Sequence, residues 1–259
     1  METFRNPEFA RAYHRKGNAL RELGNFEQAV ENYRKSVRLD PEFLDAFVDL
    51  GKALLDMGEV DQAVTVFSRA IEINPDLVGN YLCRARAYGT MGDYAGEVTD
   101  YTRAIELTPD DPALFGKRGA AFILLGKYAE AIGDYTRLIT LRPTFVWVRV
   151  IRADAYAATG KYRDAIDDYN VFIKLHPEYA ETYVSRGKAF HGLGEHWKAI
   201  EDFTHAIELA PDLGEAYFYR GRSREETDAL LESVSDFRRA AQLGDKKAMD
   251  ILSSKDLIW

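Results

Sequence analysis

A chain of 259 residues that is 46% hydrophobic and 29% charged has the make-up of a soluble globular protein and room for one or two domains. Its formal charge of -8 excludes a surface built to hold nucleic-acid phosphates, which must be basic. The single cysteine, Cys83, excludes an internal disulfide and any multi-thiolate metal cage. No run of about 18 apolar residues occurs, so no membrane insertion is expected. The opening "METFRNPEFARAY" lacks the basic and apolar regions of a signal peptide, which makes a cytoplasmic location the expectation for the chain as given.

The organisation is periodic. Pro7, Pro41, Pro75, Pro109, Pro143, Pro177 and Pro211 recur every 34 residues. A fixed period of that size means stacked supersecondary units, and it outranks local propensity. With the proline at position 32, residues 1–9 form an N-terminal cap segment. Around Pro7, "RNPEF" matches the close of an absent preceding repeat and would cover the first helix. Seven repeats then start at 10, 44, 78, 112, 146, 180 and 214 and run to 247, and residues 245–259 form a C-terminal capping helix and tail.

Position 8 is small in every repeat, from Gly17 to Gly221, which lets two helices approach closely. Position 15 is Gly24, Gly58, Gly92, Gly126, Gly160 and Gly194, suited to a left-handed cap that ends a first helix. Position 24 is always aromatic, from Tyr33 to Phe237. Each repeat therefore reads as helix, glycine turn, helix, proline turn. In the fifth, "RPTFVWVRVIR" has strong β propensity, but the register makes it a first helix opening at Val146, with Arg149 at position 4 where most copies have an aromatic. That arginine suggests distorted or snorkelled packing. In the seventh, Asp228 stands at position 15 and Arg224 at position 11, so its turn is in doubt. Beyond it, Gly244 and then Ala248, Ile251 and Leu252 read as a capping helix over the last apolar face.

The pattern resembles the tetratricopeptide repeat family, best seen in repeat 2 with Phe47, Gly51, Ala63, Phe67, Ala70 and Pro75. The ending resembles bacterial members, so the chain looks like a bacterial-type seven-repeat protein. The resemblance implies an all-α, right-handed superhelical solenoid of helix-turn-helix repeats, which holds protein ligands in a concave groove lined by positions 2, 5, 6, 9, 12 and 13 of the first helices.

Comparing the copies gives a second signal. Position 7 is Arg in repeats 3 to 7 (Arg84, Arg118, Arg152, Arg186, Arg220), and position 23 is Asp in the same five (Asp100, Asp134, Asp168, Asp202, Asp236). Repeats 1 and 2 have neither: Lys16 stands with Asn32, and Leu50 with Val66. Positions that switch together behave as contacting pairs, each Arg reaching an Asp in its own or the adjacent repeat; descent from a recent duplication is the alternative.

No catalytic, cofactor or metal motif is found, and a non-catalytic chain is expected. His191 and Glu195 are four apart, but Gly194 interrupts the helix that would align them as ligands. The carboxylate clamp by which family members hold chaperone tails is missing, since His14, Asp49, Gly79 and Cys83 stand where it needs Lys, Asn, Lys and Arg. Carried over position by position, the groove is polar at its ends and apolar in the middle. The candidate partner-binding residues are Leu82, Cys83, Arg86, Lys117, Ile123, Leu124, Trp147, Val150, Ile151 and Asp154. Contiguous apolar surface with a Trp at its centre marks a protein interaction site, so the expected ligand is an amphipathic helix or apolar peptide of a partner. The competing reading is that these side chains pack on neighbouring helices, or that the groove or the tail residues Leu257, Ile258 and Trp259 serve homo-oligomerisation.

Overall fold

The structure, a computed structural model, describes residues 5–255, all of them helix, turn or loop. They fall into two compact units divided after Lys127, which lies between the two helices of the fourth repeat. Unit 1 contains α1 (Pro7–Glu22), α2 (Phe26–Leu39), α3 (Leu44–Asp56), α4 (Val60–Ile73), α5 (Val78–Met91), α6 (Tyr94–Leu107) and α7 (Pro112–Leu124). Unit 2 contains α8 (Tyr128–Leu141), α9 (Trp147–Ala158), α10 (Tyr162–Leu175), α11 (Ala180–Gly192), α12 (His196–Leu209), α13 (Gly214–Glu225), α14 (Leu230–Gln242) and α15 (Lys246–Ser254). Within each unit a helix packs mainly on its neighbours in sequence, the arrangement of a stacked-hairpin solenoid.

Position 24 holds each hairpin together. In unit 1, the Phe67 ring lies so close to Gly51 that a Cβ there would sit 2.5 Å from it. The same close approach joins Gly187 to Phe203 and Gly221 to Phe237, all three rings being fully or almost fully buried. The segment with β propensity is regular helix from Trp147, with Val148 buried, and among the described residues there is no strand for it to pair with.

Two boundaries differ from the sequence reading. Pro7, expected to lie in a cap segment before the first helix, is the first residue of α1, so residues 7–9 belong to that helix. Proline suits a first helical position as well as a turn, and Asn6 caps the helix by accepting from the Phe9 amide at 3.2 Å. The turn of the seventh repeat is kept, with Asp228 itself in the left-handed region at φ 59°. Asp tolerates that conformation better than most side chains but still costs more than glycine. Asp228→Gly is therefore expected to stabilise the chain by up to about 1 kcal/mol, read as a higher urea midpoint at unchanged slope.

The end of unit 2 is capped. The Asp245 side chain accepts from the Ala248 amide at 2.9 Å, and Ala248 and Leu252 are fully buried against Phe218 and Phe237. The tail residues Leu257, Ile258 and Trp259 lie outside the described residues.

Candidate functional site

Four of the five expected pairs meet within a unit, each inside its own repeat. Arg152 grips Asp168 with two parallel bonds, Nε to Oδ2 at 2.7 Å and Nη2 to Oδ1 at 2.8 Å. Arg84 with Asp100, Arg186 with Asp202 and Arg220 with Asp236 repeat that two-pronged geometry. Arg118 and Asp134 stand in different units; within unit 1, Arg118 donates to Thr102 Oγ1 at 3.0 Å.

That last bond belongs to a second pattern. The remaining guanidinium nitrogen of Arg84, Arg152, Arg186 and Arg220 donates to Ser68, Thr136, Asn170 and Thr204 in the preceding repeat. Each arginine thus clamps its own hairpin and ties it to the one before. These acceptors share position 25, which is Arg34 in repeat 1 and Arg238 in repeat 7, where no arginine of this set follows. The covariation was visible in the copies.

Aromatic rings at positions 4 and 11 complete the clamp, as when Arg186 lies 5.6 Å from the Tyr183 ring and 5.8 Å from that of Phe190. Where one ring is missing, a second arginine joins instead. Arg149, at position 4, donates to Asp168 Oδ1 at 3.0 Å, and Arg224, at position 11, donates to Asp236 Oδ2 at 2.7 Å. The expectation of distorted packing at Arg149 gives way to an ion pair on a regular helix.

The groove positions of unit 1 are cross-linked by charge. Asp49 accepts from His14 at 2.8 Å and from Lys52 at 3.1 Å. Burial alone would raise its carboxyl, but those bonds outweigh burial and hold it below the usual range. Arg21 donates twice to Asp56, at 2.9 and 2.7 Å, and the Tyr33 hydroxyl donates to Asn18 at 2.8 Å. A cavity of about 100 Å3 brings Cys83 and Arg86 together with Lys52 and Asp56. Burial pushes the Cys83 thiol up, away from a reactive thiolate. Leu82 instead packs against the cluster of Tyr81, Ala85 and Leu114, while Lys117 is exposed, Ile123 half-buried and Leu124 59% exposed.

In unit 2 the expected residues separate. Trp147 keeps 43% of its surface exposed, yet its ring meets Phe172 edge-on at 4.6 Å, stacks over His176 at 5.7 Å and meets Tyr179 edge-on at 4.9 Å. It is anchored in an aromatic cluster of its own repeat and is not the free centre of an apolar patch. The cause is Phe172, a large ring at position 27, which is Ser36, Ala70, Ala104, Ala206 and Ala240 in other copies. Val150 packs on the core, and Ile151 is exposed.

Asp154 enters a different setting. It lines a cavity of about 470 Å3 with Tyr162, Ser185, Lys188, His191 and Tyr219, three repeats contributing. The Tyr169 hydroxyl, on the cavity floor, donates to Asp154 Oδ1 at 2.5 Å. Although solvent reaches Asp154, protein crowded around its carboxylate raises it above its ordinary value, more than the Tyr169 bond lowers it. Lys188 donates to Glu215 at 3.0 Å and stands 5.0 Å from the centre of the Tyr219 ring. Tyr162 and Tyr169, on a second helix, escaped the sequence reading. The copies gave no consistent signal for Tyr169: position 9 offers an acceptor beside Tyr33 and Tyr169, as Asn18 and Asp154, but is Arg86 beside Tyr101 and Ala120 beside Tyr135.

His191 and Glu195 do not share a helix, since α11 ends at Gly192. His191 Nδ1 lies 2.9 Å from Ser223 Oγ and 3.4 Å from the ring of His196. Among the described residues no group of three or more His, Cys, Asp or Glu is placed to hold a metal ion, and no helix is long and apolar enough to cross a membrane.

Comparison with known proteins agrees with this architecture. A family model described as TPR repeat matches residues 17–58, 51–92 and 153–194, and models described as Tetratricopeptide repeat match 83–144 and 180–213. Among solved structures, the C-terminal part of a TPR repeat-containing protein from Cytophaga hutchinsonii is similar at TM-score 0.72 and 18% identity, over 92% of this chain and 98% of that one. MamA protein is similar at TM-score 0.61 and 26% identity, over 66% and 94%. YrrB, described as a TPR protein with an unusual peptide-binding site, is similar at TM-score 0.61 and 18% identity, over 72% and 96%. Among curated proteins none matches. With matched repeats along most of its length, this chain belongs to the tetratricopeptide repeat family.

Proposed function

We propose that the chain is a non-catalytic interaction scaffold that holds a peptide or helix of a protein partner against its first helices, and that in unit 2 the binding centre is the Asp154 cavity. The observation that carries this reading is the cavity itself: it is open to solvent, and first helices of three successive repeats contribute Asp154, Lys188 and Tyr219 to it. Apolar walls with a few convergent polar groups are the usual make-up of a ligand site. A peptide-binding site is also what the description of the similar YrrB names for that protein.

The test is selection of displayed peptides on the whole chain. Ala157→Phe narrows the cavity from its wall, and it should weaken the selected peptides at least about ten-fold, or ~1.4 kcal/mol. Trp197→Ala, on the exposed side of α12, should leave them unchanged. Equal affinities for wild type and Ala157→Phe would place the ligand elsewhere.

A further inference from the structure

The charges at the groove positions of repeats 5 to 7, where Asp154, Lys188 and His191 line the unit 2 cavity, are lopsided. The groove positions of repeats 5 to 7 hold five carboxylates, Asp154, Glu181, Glu215, Glu225 and Glu226. They hold two cations, Lys188 and Arg222. Both cations are engaged: Lys188 pairs with Glu215 at 3.0 Å, and Arg222 lies 3.7 Å from Glu225. Lys255, just past the capping helix, also pairs with Glu225. Among the described residues Asp154, Glu181 and Glu226 take part in no ion pair. His191 adds no positive charge at neutral pH, because burial, with His196 and Arg222 nearby, pushes its ring below the usual value.

The cavity has the walls that a cation wants. Tyr162 lies directly over Gly192, where a Cβ would come within 2.6 Å of its ring, while the Tyr219 wall already has the chain's own Lys188 5.0 Å and Lys247 5.9 Å from its ring centre. Aromatic faces attract guanidinium and ammonium groups, and do so more strongly when water is partly displaced. Tyr169, which also lines the cavity, donates to one oxygen of Asp154, and among the described residues no hydrogen bond reaches the other oxygen of that carboxylate. At this same position 9 repeat 1 has the neutral Asn18, also bonded to its tyrosine.

We infer that this cavity selects a cationic side chain, so that the partner of unit 2 is a protein segment presenting arginine or lysine among apolar residues. The inference rests on the groove reading above and adds the sign of the ligand. Asp154 receives the cation and Tyr162 flanks it, beside the acidic groove positions of repeats 6 and 7.

Two labelled peptide pools of equal apolar content separate the possibilities, one with Arg and Lys at alternate positions and one with Glu there. Fluorescence anisotropy on the whole chain should show the basic pool binding at least about ten-fold more tightly, with the preference weakening as salt rises. Asp154→Asn keeps an oxygen for Tyr169 and should cut the preference to within about three-fold. A preference for the acidic pool, or one that survives Asp154→Asn intact, overturns the inference while leaving the groove reading in place. Failure of both pools, with no peptide recovered from display, overturns both.

Discussion

Asp168→Ala is expected to destabilise the chain by about 3–5 kcal/mol, the loss typical of removing one partner from a buried ion pair. Asp168 is 5% exposed in its side chain and serves two arginines, Arg152 through two bonds and Arg149 through a third at 3.0 Å. Its removal leaves two guanidinium groups in a hairpin interior with no carboxylate between them. Arg152→Ala should cost less, because Arg149 still partners Asp168, and Arg149→Ala least, because the two-pronged contact is untouched. Urea unfolding checks the order, and hydrogen exchange in α9 and α10 checks that the loss begins in that hairpin. An Asp168→Ala variant within about 0.5 kcal/mol of wild type would mean that solvent replaces these bonds at little cost.

The arginine clamps also show what a repeated sequence discloses. Constraints imposed at each stacking step are written once per repeat, so the spacing of the prolines, the position-15 glycines and the position-24 rings gave the helices almost to the residue. The Arg and Asp columns were legible for the same reason, and so in principle was the position-25 acceptor. Misreadings fell where one residue type satisfies two environments. Pro7 suits a turn or a helix start, and Asp228 can enter the left-handed region that glycine usually occupies.

The candidate site was less legible because it depends on departures that occur once. Trp147 stands at a groove position by register, but Phe172, at a mostly small position, gives its ring a partner in its own hairpin beside His176 and Tyr179. Asp154 was one of ten residues expected at groove positions. Its setting in a cavity depends on Tyr169 and Tyr162, which come from a second helix that the family pattern does not assign to ligand contact.

The other large effect is expected at the aromatic position itself. Phe67 is fully buried in unit 1, packed with Leu50 and Leu54 beside Gly51. Phe67→Ala should cost about 3–5 kcal/mol, the transfer loss of the ring plus the cavity it leaves. The cavity term can be isolated because the missing Cβ of Gly51 faces the ring. In the wild type, Gly51→Ala brings two opposed effects, a gain of about 0.5–1 kcal/mol in helix propensity and an overlap with the ring. Ala85 and Ala153 fill this position in other copies, opposite tyrosines, so rings can shift to accept a methyl group. In the Phe67→Ala background the overlap vanishes, and Gly51→Ala should then recover about 1 kcal/mol by propensity and partial filling. The two sites touch, so their effects should not add. Strict additivity in urea unfolding would mean that the ring does not rest on that glycine, and that the close approach of the two helices has another cause.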